Sequence, residues 1–319
     1  MESNIKLKIF DEDLTAYGKQ VLSILLKDRT TGKNIIWATN DYISLGNIYK
    51  AENEISINII NGDKEKFIRP RITKSFEKQN NRTRDKAEVF TPSWVCNQQN
   101  NLIDEQWFGR KDVFNKSKEN GWITKKEKIE FPNTKNKTWC DYIDARRMEI
   151  ACGEAPYLVS RYDTVTGDSI DIASRIGFLD RKMRVINENV DDETEWLKWT
   201  ERAFQSVYGF EFQGDNLLLA RENLLFTFIE NIKFKLDREP KINELKKIAT
   251  IISWNLWQMD GLTYSTPLSE TIKETHQMSF FDDIDDFNDK PIKKYCKIKN
   301  WRSNKILEYR SLLEGKNYG

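Results

Sequence analysis

The stretch Glu149-Ile150-Ala151-Cys152-Gly153-Glu154-Ala155-Pro156-Tyr157 constrains this chain more than any other. It reads as a short apolar strand end, an acid, a tight turn of small residues and the start of a new element. Such a turn follows the first strand of an open α/β sheet, where small residues let backbone amides come close to a ligand. An acid near the turn can hold a polar group of that ligand. Only Gly153 is glycine, so the turn is not the G-x-G-x-x-G of a dinucleotide site. The expected architecture is α/β, with a nucleotide-like cofactor at the turn.

At 319 residues the chain can bury a sizeable core and could hold one large or two medium domains. Its 51 Lys and Arg nearly balance its 50 Asp and Glu, so net charge says nothing about nucleic acid. The distribution is uneven. Nine basic residues face three acids between Lys64 and Lys86, and eight face two between Lys293 and Gly319. Between these segments, Asp282 to Asp289 holds five aspartates. Basic segments of this kind can meet phosphates, and they also serve as plain solvated surface. No run of about 18 apolar residues suggests a membrane span, and the N-terminus lacks a signal-peptide pattern. Cys96, Cys140, Cys152 and Cys296 are far apart and form no C-x-x-C pair. The single histidine, His276, lies in the polar stretch Glu270 to Gln277, a poor setting for a Ser-His-Asp or Cys-His mechanism. A cytoplasmic, reduced, metal-free protein is the expectation.

Near the N-terminus, Val21 to Leu26 and Ile35 to Ala38 flank a turn at Thr30–Asn34, which suggests two strands of a hairpin. A helix is expected over Asn97 to Asp104, after Thr91-Pro92. Residues 116–138 read as an excursion rich in Lys, Asn and Gly. Helices are expected over Glu193–Val207, with acids in the first turn and Trp196, Trp199, Ala203 and Phe204 at helical spacing, then over about Asn216–Lys233 and Asn243–Ser253. The tail Trp301 to Leu313 fits an amphipathic helix. The chain divides into an N-terminal α/β extension (1–87), a cofactor-binding core (88–265), and an acidic linker with a docking tail (266–319).

Three further stretches carry chemistry. Glu211 ends a second expected strand, where an acid accepts hydrogen bonds from both hydroxyls of a ribose; such an acid is also an ordinary helix N-terminal residue. Asp260 ends a third, where it can accept from an exocyclic adenine amine or simply make an Asp-Gly turn. Glu88-Val89-Phe90-Thr91-Pro92 is an extended step whose proline fixes the backbone before a helix.

Together, in this order, the four stretches resemble the adenine-N6 DNA methyltransferases of restriction–modification systems, over residues 88–262. The resemblance implies a Rossmann-like S-adenosylmethionine-dependent methyltransferase core. In that family a Glu-Val-Phe-Thr-Pro-like step precedes the cofactor turn and helps to hold S-adenosyl-L-methionine. The turn often reads Glu-Pro-Ala-Cys-x-x-Gly-Pro-Phe; here Glu149, Ala151, Cys152, Pro156 and Tyr157 match or nearly match, and Ala155 stands where the family usually has glycine. The cofactor residues implied are Thr91, Pro92, Glu149, Ala151, Gly153, Tyr157, Glu211 on the ribose and Asp260 on the adenine. The separation between the turn and Glu211 exceeds the roughly 20 residues of a cofactor-binding βαβ unit, which suggests an insertion near Thr164–Asn189.

One family element is missing. An amino-methyltransferase needs an Asn/Asp/Ser-Pro-Pro-Tyr/Phe loop to hold the flipped base. None of the seven prolines here is adjacent to another. The sequence reaches Asn317-Tyr318-Gly319 about where the family's fourth strand begins, so a split enzyme is expected. This chain would bind the cofactor and contribute no catalytic residue of its own, while a second chain supplies the Asn-Pro-Pro-Tyr loop and target recognition, with DNA as substrate and no membrane involved. A non-catalytic methyltransferase-like scaffold and a restriction endonuclease subunit are the rival readings; the latter rests on Glu244-Leu245-Lys246.

Overall fold

The computed structural model describes residues 18–60, 68–70, 72, 91–269 and 293–313. Glu88, Val89, Phe90, His276, Asp282–Asp289 and most of the basic segment 64–86 lie outside the described residues. In chain order the main elements begin with helix α1 (Lys19–Leu26), helix α2 (Ser93–Phe108) and the hairpin β1 (Asn115–Lys118) and β2 (Gly121–Thr124). Helix α3 (Trp139–Asp144), strand β3 (Arg147–Glu149), helices α4 (Phe178–Asn189) and α5 (Glu193–Gln205) and strand β4 (Val207–Glu211) follow. Helices α6 (Gly214–Leu236) and α7 (Ile242–Asn255) lead to β5 (Leu256–Gln258), and a second hairpin, β6 (Lys297–Asn300) with β7 (Lys305–Glu308), comes last.

The protein is a mixed α/β fold around one parallel sheet of three strands in the order β3-β4-β5. Glu149 pairs with Gly209, and Glu211 with Gln258, so the acidic ends of β3 and β4 emerge at the same end of the sheet. Two helices cross from β3 to β4 and two more from β4 to β5, as parallel pairing requires. Local signals set several boundaries. Thr138 and Asp141 form a reciprocal capping box at α3, and the Asp192 carboxylate accepts the Glu195 amide at α5. Trp196, Ala203 and Phe204 then face the core.

Two sequence expectations are corrected. Val21 to Leu26 is a helix, not a strand: Val21, Leu22, Leu25 and Leu26 fall on one helical face, all are buried, and α1 packs on α7. Only the second half of the expected hairpin is extended, with Ile36 bridging antiparallel to Glu54. The tail is likewise a hairpin, with helix confined to Arg310–Leu313. Asn304 adopts a left-handed φ of 55° in its turn, and Ile298 and Tyr309 pack with Phe210, Trp257 and Met259 on one face of the sheet.

The larger core runs continuously from Val21 to Leu256. Its axis is α6, buried almost all round, as a central helix is. Arg221 on this helix is fully buried and donates to the carbonyls of Leu25, Lys27, Ser253 and Leu256. These are the otherwise unpaired C-terminal carbonyls of α1 and α7 and the start of β5, so one guanidinium closes three chain ends. A second buried cation, Arg181, pairs with Asp104 at 2.6 Å and reaches Asn97 and Asn101. Among the described residues no helix is long and apolar enough to cross a membrane.

Each buried carbonyl left without a donor costs about 1–3 kcal/mol. Arg221→Met is therefore expected to lose at least about 3 kcal/mol of unfolding free energy in urea titration, and Arg221→Lys less, because an ammonium keeps some but not all of the donors.

Candidate functional site

A cleft of about 840 Å³ opens at the C-terminal ends of the parallel strands. Its floor is the turn after β3. There Ala151, Gly153 and Ala155 have φ of 48°, 52° and 64°, so three of five consecutive residues are left-handed. Side chains there must be small, and Ala155 occupies a conformation that glycine takes without strain. The Cys152 amide donates to the Phe210 carbonyl at 2.8 Å, and the Ala155 amide to the Cys152 carbonyl at 2.7 Å. The turn is thus fastened to β4.

Glu211 closes the cleft from the other side. Its two carboxylate oxygens accept the Gly153 amide at 2.8 Å and the Gln213 amide at 3.1 Å. Glu149 accepts the Leu158 amide at 3.2 Å. Both carboxyls are almost wholly buried, and burial raises their pKa values above the ordinary carboxylate range, Glu149 the further. Backbone amides oppose the shift in each case, and each acid also feels a neighbouring carboxylate: Glu211 for Glu149, and Asp215 for Glu211. Among the described residues neither has a cation beside it.

The connection from turn to helix differs from the expected insertion. The Phe178 and Leu179 amides donate to the Tyr157 and Leu158 carbonyls, both at 2.8 Å, so α4 continues directly from the turn. Residues 159–177 are looped out between, with Tyr162 bridging Ser169. The close approach needs Gly177, where a Cβ would lie 2.3 Å from the Leu158 carbonyl oxygen. Asp180 holds the junction, accepting the Ser160 and Gly177 amides. Helix α4 therefore belongs to the crossover, and the excursion begins before Thr164 and ends before α4.

That excursion also places the upstream step. Asp163 accepts the Ser93 amide at 2.6 Å, and Thr164 donates to the Thr91 carbonyl at 3.2 Å. Thr91 reaches the cleft, and Pro92 sits behind it as the residue preceding α2. Of the eight residues singled out in the sequence, Thr91, Glu149, Ala151, Gly153, Tyr157 and Glu211 line one cleft. Asp260 does not line it: its carboxylate accepts the Leu262 amide at 2.8 Å and the Thr263 amide at 3.3 Å, making a turn that carries Gly261 and Leu262 to the rim.

One wall has no counterpart in the sequence reading. Ala38 and Thr39, from the N-terminal region, line the cleft opposite the turn. Gln258 holds them there, accepting the Ile36 amide at 2.9 Å and donating to the Ile36 carbonyl at 2.8 Å. Gly214 lets the start of α6 come equally close, since a Cβ there would lie 2.0 Å from the Ile36 carbonyl oxygen. The glycine after Phe210-Glu211-Phe212-Gln213 is the single sequence sign of that contact. Phe212, Gln213 and Asn216 complete this side of the lining.

Glu244, the acid of the nuclease-like triplet, pairs with Arg238 at 2.8 Å and accepts the Lys241 amide, so its carboxylate is engaged in holding the start of α7. Among the described residues no three His, Cys, Asp or Glu side chains gather in metal-binding range. No protein-family model, curated protein or solved structure matches this chain.

A carboxyl with a raised folded-state pKa favours the folded chain in acid. As pH rises past 4.5, the ordinary glutamate value, the unfolded chain ionises first and this stability is lost until the folded group ionises too. Glu149→Gln should flatten the fall in unfolding free energy above pH 4.5 and leave the ligand-free protein more stable than the parent at neutral pH. Urea titrations at intervals from pH 4 to 8 would show this.

Proposed function

We propose that this chain is the S-adenosyl-L-methionine-binding part of an adenine-N6 DNA methyltransferase of a restriction–modification or phage-defence system. The observation that carries the reading is the pair of buried carboxyls, Glu149 and Glu211, at the ends of adjacent parallel strands, with the left-handed turn between them at one cleft. Ligands of open α/β sheets bind at this end of the strands. A volume of about 840 Å³ accommodates a nucleoside with an amino-acid side arm.

The chemistry of the donor set fits the cofactor. Two buried acids with no cation beside them among the described residues favour a ligand that brings positive charge, and S-adenosylmethionine carries a sulfonium and an ammonium. Glu149 is assigned to its amino-acid end, and Glu211 to the ribose hydroxyls, which donate to carboxylate oxygens. Gly153 and Ala151 shape the turn under the methionine part. Phe210, Met259 and Leu262 give an apolar wall for the adenine, and Thr91 and Tyr157 border the opening. When bound, the cofactor supplies an electrophilic methyl group; the work of these residues is to position it and exclude water.

The base-holding Asn-Pro-Pro-Tyr loop is absent from these residues, and its supply by a second polypeptide, with target recognition, belongs to what we propose. An open edge suits such a partner. Among the described residues β3 pairs only with β4, and Met148 and Ile150 at that edge are 37% and 70% exposed.

Calorimetric titration with S-adenosylmethionine should show binding that strengthens as pH rises above 4.5, because the cationic ligand favours the ionised acids. Glu211→Ala should weaken it at least tenfold, about 1.4 kcal/mol. Absence of binding, or binding indifferent to Glu211→Ala, would overturn the reading. Transfer of labelled methyl groups to DNA should require the loop-bearing partner; binding without transfer in its presence would leave a scaffold.

A further inference from the structure

A second cleft, of about 310 Å³, lies at the opposite end of the parallel strands. It is built from four elements: Asp144 ends α3, Arg146 precedes β3, Arg202 and Gln205 close α5, and Tyr208 lies near the start of β4. Trp301 and Arg302, from the turn of the last hairpin, complete it. Three guanidiniums therefore share one cleft with one carboxylate.

That carboxylate is engaged. Arg202 donates to Asp144 Oδ1 at 3.0 Å and also to its Oδ2. Arg302 pairs with the same Oδ2 at 3.3 Å, while among the described residues the Arg146 side chain makes no ion pair. Burial raises the pKa of the Tyr208 hydroxyl, the charges of Arg146 and Arg302 partly oppose that shift, and the hydroxyl makes no hydrogen bond among the described residues. Among the described residues of the lining, three guanidiniums against one carboxylate leave a net positive charge beside a phenol that makes no hydrogen bond. The scaffold beneath is firm: Lys182 donates to the Ile143 carbonyl at 2.8 Å, to the Ala145 carbonyl, and to Ser206 Oγ on the cleft wall. Trp301 is fixed by its indole N–H, which donates to Asn255 Oδ1 at 2.7 Å.

We propose that this cleft binds a sugar phosphate, its phosphate held by Arg146, Arg302 and the Tyr208 hydroxyl. Like charges held together on a fixed frame repel, and an anion between them removes the repulsion. Guanidinium forks match phosphate oxygens, a phosphate monoester carries the two negative charges the cleft lacks, and a phenol adds a neutral donor. The volume leaves room for the sugar beyond the phosphate. A free nucleotide carries this monoester and a DNA backbone the singly charged diester of the same sugar, and the site is independent of the cleft at the acidic end of the strands.

The test is calorimetric titration of the full chain with deoxyribose 5-phosphate, a probe without a base. Binding should weaken at least tenfold in the double variant Arg146→Ala, Arg302→Ala, with S-adenosylmethionine affinity and circular dichroism unchanged. Neither side chain is buried, so the variant should fold. A short DNA duplex that displaces the probe, and itself binds the double variant less well, identifies a nucleic-acid backbone as the source; a duplex that fails to displace it identifies a free sugar phosphate. Absence of probe binding by the parent chain, or binding undiminished in the double variant, overturns the proposal.

Discussion

The Arg221 guanidinium is the interaction on which the rest of the structure depends. Strands of three, five and three residues are too short to stand as a sheet by their own ladder bonds. The helices must hold them, and the ends of helices leave carbonyls without donors. By donating to Leu25, Lys27, Ser253 and Leu256, Arg221 joins α1, α7 and β5 to the central helix at a single point. Its own cost is desolvation, which lowers its pKa to about 9, with Asp28 acting in the opposite direction. Because α1 is fixed there, the chain that follows can return along Gln258 and present Ala38 and Thr39 to the cleft.

The same economy of donors explains the acidic cleft. Glu149 and Glu211 are tolerated in the interior because backbone amides of Leu158, Gly153 and Gln213 point at them. Amides are dipoles, not charges, and they only partly offset burial. Burial therefore favours protonated acids, and a cationic ligand would exchange for those protons. Affinity for such a ligand would then be coupled to protonation through the burial of the two acids.

How much of this could be read from residues alone depends on the range of the interaction. The turn at Glu149–Tyr157 and helices α5 to α7 were legible because small residues, caps and apolar spacing act within a few positions. Val21 to Leu26 was not: a six-residue apolar run satisfies a strand and a helix equally, and packing on α7 decides. The tail misled for the opposite reason. Its apolar residues can be drawn on a helical face, yet the register Lys299 to Ile306 buries Ile298 and Tyr309 against the sheet. The excursion after the turn was located approximately, since its length is visible but its return at Gly177 rests on a contact with Leu158. The Ala38–Thr39 wall left no local trace, because Ile36 and Gln258 are 222 positions apart. Asp260 illustrates the remaining ambiguity: an Asp-Gly pair at a strand end is drawn in the same way whether its carboxylate meets a ligand or its own backbone, and here it meets the Leu262 amide.

The sheet is finished on one side and open on the other. Beyond β5, the Leu256 carbonyl accepts from Arg221 and the Gln258 carbonyl from the Cys296 thiol, while the Gln258 side chain takes both backbone groups of Ile36, so that edge offers little to an incoming strand. Beyond β3 no strand follows among the described residues, and Met148 and Ile150 are exposed. An open sheet edge is a liability unless something covers it. A strand added there in parallel would end beside Glu149 and Ala151, at the mouth of the acidic cleft. A strand entering at this edge would by backbone pairing alone extend the sheet toward the cleft.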